Sequence, residues 1–177
     1  MHIDDPNESP MGSFQKINVR PDMSNPFING KKFLPKSWRN LRSSLTADLG
    51  EFVHLSMVCD FWKQAPIRAR ILDWDYPLTW PDPWAMMHEA DFDESSIALG
   101  MFYTLLLSED QRWTTDRLKI LLIRDRIMEI QRLILLVDGR WLMNLDHGVI
   151  MEKDLIMPQL LVQQRYRYDG KSHSFES

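Results

Sequence analysis

Proline placement constrains this chain more than any other feature. Five prolines (Pro6, Pro10, Pro21, Pro26 and Pro35) and two glycines (Gly12 and Gly30) fall within the first 37 residues, with no sustained apolar period among them. A residue that fixes φ and lacks an N–H, at that density, blocks both helix and central strand. Residues 1–37 therefore read as an extended arm and residues 38–177 as a single domain. Such an arm orders only when docked, because fixing each residue costs roughly 1–2 kcal/mol that contacts must offset. Phe14, Ile17, Val19, Met23, Phe27, Ile28, Phe33 and Leu34 supply apolar anchors, for a partner chain in the first instance and the chain's own domain otherwise.

The rest of the composition bounds the chemistry. With 177 residues, 44% of them hydrophobic, the chain can build one sizeable core and is not disordered throughout. A net charge of −4 and a pI near 5.7 argue against a generic basic nucleic-acid surface. One cysteine excludes a disulfide framework and any Cys-rich zinc module. No apolar run approaches the ~18 residues of a membrane span, and the polar start MHIDDPNESP does not resemble a signal peptide. The expectation is a soluble protein of a reducing compartment. Seven Trp and eleven Met provide large, adaptable side chains for cores and contact surfaces.

Periodicity divides the domain into helices followed by strands. Leu41, Leu45, Leu49, Phe52, Leu55, Val58, Cys59 and Trp62 predict one helix over about 37–64, stopped by Pro66. Cys59 reads as a small buried hydrophobe on it. A Trp- and Pro-rich connection (67–84) leads to a short helix after Pro83. A strongly apolar helix follows over about 93–108, with Asp93 as its cap. Residues 117–125, 131–139, 140–145 and 147–152 are short, apolar and bounded by charge or glycine. They predict antiparallel strands, with Asp138-Gly139 as a hairpin turn. Residues 160–170 alternate less cleanly and predict an edge strand. Helices first and a meander afterwards define an α+β fold, N-terminal helices packed on an antiparallel sheet.

The stretch WPDPWAMMHEADFDESSIALGMFYTLLLSE (80–109) carries the most information. Its acidic lead-in (Asp91, Asp93, Glu94), its helix (Ser96-Ile97-Ala98, Tyr103-Thr104-Leu105) and the later pair Arg132-Leu133-Ile134-Leu135 and Leu142-Met143-Asn144 form one pattern. Over roughly residues 74–146 the chain resembles the bacterial transglutaminase-like cysteine proteinases, of the papain-like transglutaminase fold. Their pattern is Gly-Asp-Cys-Glu-Asp opening an apolar helix, then His-Ala-Val-Leu and Leu-Asp-Asn on two later strands. The resemblance implies that fold and places the nucleophile at Phe92, the base at Arg132 or Leu133, and the orienting residue at Asn144 or Asp146.

The departures from that pattern decide the expected chemistry. Phe92 has neither lone pair nor proton, and an arginine cannot deprotonate at a useful pH. Losing nucleophile and base together removes roughly six orders of magnitude of triad catalysis. The implied protein is a degenerate member without its reaction. Ser95 and Ser96 could replace the thiol only beside a positioned histidine, and His88 and His147 are the candidates outside the first helix. Asp73, Asp75, Asp82, Glu89, Asp91, Asp93 and Glu94 lack the alternating ligand order of a hard-cation loop, so no metal and no cofactor is expected. Trp74, Trp80 and Trp84 read as a lid on the core or, for Trp80 and Trp84, as interface anchors. Arg165, Arg167 and Lys171 around Tyr166 and Tyr168 are too short a run to predict nucleic-acid binding.

The reading that follows is a non-catalytic assembly protein. Phe14, Ile17, Phe27, Phe33, Trp80 and Trp84 would contact other protein subunits in a homo-oligomer or ring, with no membrane and no specific nucleic acid. The specific expectation is a phage virion component (neck, adaptor or head–tail connection), assembled in the host cytoplasm. The alternatives are a cellular module binding a peptide in the old cleft, and a hydrolase with a non-cysteine nucleophile.

Overall fold

The structure is a computed structural model and describes residues 25–28, 30–69 and 72–177. Phe14 and Ile17 lie outside the described residues. Four helices precede the sheet: α1 (Leu34–Ser44), α2 (Glu51–Trp62), α3 (Pro83–Glu89) and α4 (Glu94–Leu106). Strands β1 (Leu118–Asp125), β2 (Gln131–Val137), β3 (Trp141–Met143) and β4 (Ile150–Glu152) follow. A short helix α5 (Lys153–Ile156) then leads to β5 (Leu160–Asp169) and β6 (Ser174–Glu176). The strands form one antiparallel sheet in the order β4-β3-β2-β1-β5-β6. The α+β architecture expected from the sequence is the one observed.

Helix α4 is apolar all round, which is the signature of a helix buried on every side, and Ser95 through Leu105 are all buried. Its start is set by a capping box. Asp93 Oδ1 accepts the Ser96 N–H at 2.6 Å, and Ser96 Oγ accepts the Asp93 N–H at 2.8 Å. One face of the sheet packs on α4 through Leu118, Ile120 and Leu122 of β1 and Leu133, Leu135 and Val137 of β2. The opposite face buries Leu121, Ile123, Ile134 and Leu142 beneath Ile156 and Met157, so the sheet is covered on both sides. Asp138 and Gly139 turn β2 into β3 with φ of 51° and 64°, as the Asp-Gly pair predicts.

Three expectations need correction. The helix read over 37–64 is two helices, with Leu45–Gly50 between them, and α1 begins at Leu34, inside the segment read as arm. The reason is visible at Thr104 on α4. Its hydroxyl accepts the indole N–H of Trp38 from α1 and of Trp62 from α2, both at 2.9 Å, and donates to Gly100 O at 2.6 Å. A continuous helix would hold those two indoles roughly 36 Å apart. Folding the chain back at Leu45–Gly50 brings them to one atom. Gly100 makes room for this: a Cβ there would stand 2.3 Å from the Trp62 ring. Strand β5 is the third correction, because it pairs with β1 and β6, leaving β6 as the edge. β6 is held by Phe175, whose ring meets Trp80, Phe102, Tyr103 and Tyr168 within 5.1–6.1 Å.

The Thr104 junction yields a quantitative expectation. Thr104→Val keeps the shape but leaves two buried indole N–H groups without an acceptor, which should cost about 2–4 kcal/mol. Thr104→Ser, which keeps the oxygen, should cost well under half as much. Urea unfolding midpoints of the two variants check this.

Candidate functional site

The resemblance directs attention to the N-terminus of α4, where Phe92 precedes the Asp93 cap. The Phe92 ring is fully buried. It meets Phe27 and Trp62 edge to face at 5.5 Å, and Phe27 in turn contacts Phe61 at 5.1 Å. Its backbone is used as well: the Arg68 N–H donates to Phe92 O at 2.6 Å, next to a parallel bridge between Ile67 and Phe92. A strap continues over the helix end. The Leu72 N–H donates to Asp93 Oδ2 at 3.0 Å, and the Trp74 indole donates to Ser95 Oγ at 3.3 Å. Tyr166 and Trp80 secure the strap from behind by donating to Trp74 O and Asp73 O.

Strand geometry separates the two candidates for the base. Successive residues on a strand face opposite sides of the sheet, and Leu133 belongs with Leu135 and Val137 on the α4 side. Arg132 therefore points to the other side, where its Nη1 donates to Leu145 O at 2.7 Å. The position facing the helix is Leu133, fully buried, and Arg132 is not at the site. Asn144 does reach it. Its side-chain amide donates to Glu94 O at 2.6 Å and to Leu133 O at 3.0 Å, tying β3's end to α4 and β2 at once. It adopts φ 69°, a left-handed conformation that Asn tolerates better than most side chains. Asp146, the other candidate, is exposed and accepts the His147 N–H.

The remaining candidates are engaged elsewhere. Ser96 Oγ serves the capping box and Ser95 Oγ takes the Trp74 indole; among the described residues no imidazole bonds either hydroxyl. His88 is exposed, and His147 Nε2 lies 2.7 Å from Lys63 O at the end of α2. Cys59 is buried on α2 and its thiol is pushed up to about 11, first by burial and then by Asp60, which is the reverse of an activated nucleophile. His54, which helical periodicity did not single out, is the one fully buried histidine among the described residues. Its Nδ1 accepts the Trp113 indole at 3.1 Å and its Nε2 lies 2.9 Å from Thr46 O, so both nitrogens hold loops in place.

The carboxylates have local duties. Asp82 caps α3, Asp93 caps α4, Asp73 accepts the Asp75 N–H, and Asp91 lies 3.8 Å from Arg68. Among the described residues no group of three or more His, Cys, Asp or Glu could hold a metal ion. No helix among them is long and apolar enough to cross a membrane. The expected interface anchors also redistribute. Phe27 is partly buried against the core of its own domain, and Trp80 is buried against Tyr166 at 4.6 Å, so Trp80 offers no free surface. Trp84 is half exposed and meets Trp38 at 5.6 Å, while Phe33 is exposed. Tyr166 and Tyr168 turn into the core while Arg165 and Arg167 face solvent. Their interleaving is strand alternation, which leaves no stacking platform.

This arrangement defines a transglutaminase-like fold, and comparison with solved structures agrees. The chain superposes on LapG of Legionella pneumophila, a bacterial transglutaminase-like cysteine protease, with TM-score 0.61 and 17% identity, covering 78% of this chain and 74% of that one. That match is to an EGTA-treated form; a calcium-bound form gives TM-score 0.59 at the same identity, covering 76% and 73%. The sequence matches no protein-family model and no curated protein.

Two expectations follow. Asn144→Ala removes two hydrogen bonds and forces alanine into a left-handed conformation, whereas Asn144→Gly removes the bonds alone. The alanine variant should be the less stable by about 1 kcal/mol in thermal melts, both lying below the parent. The second concerns alkali. A thiol pushed up from 9 to about 11 stays protonated in the fold while the unfolded chain loses its proton. The native state then binds more protons, so stability falls as pH rises from 9 to 11, by about 1–3 kcal/mol. Tyr166, pushed up to about 12 by burial, adds to the loss above pH 10. Cys59→Ala should flatten the slope between pH 9 and 11 in urea titrations.

Proposed function

We propose that the protein is a non-catalytic assembly component that uses a transglutaminase-like scaffold to hold other protein subunits. One observation carries the reading: the positions that the resemblance assigns to nucleophile and base hold Phe92 and Leu133, both fully buried and neither able to attack or to move a proton. The Asn144 amide, which would orient an imidazole, is bonded to two carbonyls instead. The specific form of the proposal is a virion subunit, a neck, adaptor or head–tail piece, whose N-terminal residues engage a neighbouring copy. Its support is the run of anchors Phe14 and Ile17 ahead of a segment that is tied to the domain from Asn25 onward.

A second reading, a hydrolase with a hydroxyl nucleophile, is favoured by the likeness to LapG. Ser95 and Ser96 sit in the right turn of α4, but their oxygens are already bonded to the strap and the cap.

Two measurements test the proposal. The full chain treated with serine- and thiol-directed covalent probes should show no labelling at Ser95 or Ser96; stoichiometric labelling there would establish the hydrolase. In sedimentation, the full chain should run as a multimer of the 21.0 kDa subunit, and removing residues 1–20 should return it to one subunit. A multimer that survives the truncation, or a monomer before it, contradicts the assembly role.

A further inference from the structure

We propose that the open edge of β5 takes up an extended acidic peptide of a partner protein, as an added antiparallel strand in line with β6. Strand β6 pairs with Arg167, Tyr168 and Asp169 only. Strand β5 begins at Leu160, and among the described residues no strand lies on that side of its residues 160–166. A sheet edge turns a row of N–H and C=O groups outward, and these hold a further strand by main-chain hydrogen bonds. Space for one exists here: a groove of about 440 Å³ runs along Val162, Gln163, Gln164 and Arg165 and ends at Ser177, just past β6. None of the positions that the resemblance assigns to a reaction lines it.

Strand β6 itself shows what this edge selects. Glu176 stands opposite Arg167, its carboxylate 3.8 Å from the guanidinium. Arg165 lies two residues from Arg167 on the same face of β5, exposed and without an ion pair among the described residues. Continuing the line of β6 by two residues reaches the position opposite Arg165, where a carboxylate repeats the Glu176–Arg167 pair. Lys119 strengthens the preference. Leu121 pairs with Arg165, and Lys119, two residues from Leu121 on β1, shares that face and is exposed. Farther along, Val162 pairs with Ile123 and packs on the apolar cluster of this face, so an apolar residue of the added strand extends that cluster. Opposite charges set across from each other stabilise strand pairing and like charges oppose it. A bulge at Gln163, where the register with β1 shifts, and the two cations keep the edge from pairing indiscriminately. A carboxylate on the incoming strand converts the second obstacle into an attraction. This goes beyond the assembly reading and stands whether or not the chain forms a multimer.

The test uses the full chain and a fluorescein-labelled peptide, Thr-Val-Thr-Glu-Thr-Val-Thr, read by fluorescence anisotropy in low-salt buffer. The parent protein should bind it, and a version with lysine in place of the glutamate should bind at least about tenfold more weakly. Arg165→Glu should reverse that preference. Arg39→Glu, the same charge change at an exposed position on α1, should leave it unchanged. Circular dichroism checks that both variants are folded. Methylating the peptide's amide nitrogens at alternate residues should abolish binding in one frame and spare it in the other, because only one edge of an added strand faces β5. No binding by the parent, a preference that survives Arg165→Glu, or equal effects of the two methylation frames each overturns the proposal. So does a multimer of the peptide-free chain that Arg165→Glu dissociates, since a second copy would then occupy the edge.

Discussion

Thr104 Oγ1 is the atom on which the helical layer depends. It accepts one indole from α1 and one from α2 while donating to α4's own backbone, so three helices meet at a single buried hydroxyl. A buried indole N–H without a partner is expensive, and here two are satisfied by one oxygen. Gly100, one turn earlier, is the steric counterpart, since any side chain there would collide with Trp62. With α1 and α2 held in this way, Trp62 and Phe61 become the wall against which Phe27 and Phe92 pack. The closure of the site at α4's N-terminus thus follows from the same junction that sets the helix packing.

That packing engages for cohesion the positions that the resemblance assigns to a catalytic constellation. A helix N-terminus that could stabilise a thiolate instead presents its cap to Leu72 and its second turn residue to Trp74. The strand position to which the resemblance assigns the base holds Leu133, whose carbonyl, with that of Glu94, takes up the Asn144 amide. Apolar packing and backbone hydrogen bonds thus hold Phe92, Leu133 and Asn144 in place. The likeness to LapG lies in the fold.

Much of this was legible in the sequence because its cues are local. Asp93 before an apolar run marks a capped helix, Asp138-Gly139 marks a hairpin, and Pro83 after Asp82 marks the start of α3; each signal acts within four residues. What was not legible depends on distant partners. The break between α1 and α2 answers to Thr104, more than forty positions away from either indole. β6 is a three-residue strand stabilised by the ring cluster around Phe175. The face of β2 was ambiguous because both sides of the sheet are covered, so Leu133 and Ile134 look alike in hydropathy. Only the strand's placement against α4 separates Leu133 from Arg132. Asn144 was found because the resemblance named it, although its present bonds are structural.

The most direct measurement places a thiol at the position in question and asks whether the site activates it. In Phe92→Cys, the alkylation rate with iodoacetamide should stay at least about tenfold below that of free cysteine at pH 7, rising only as alkali ionises a buried, unassisted thiol. A rate above that of free cysteine, sustained below pH 7, would mean that a base and a polar pocket exist at the α4 N-terminus, and would contradict the account of a closed, unreactive site.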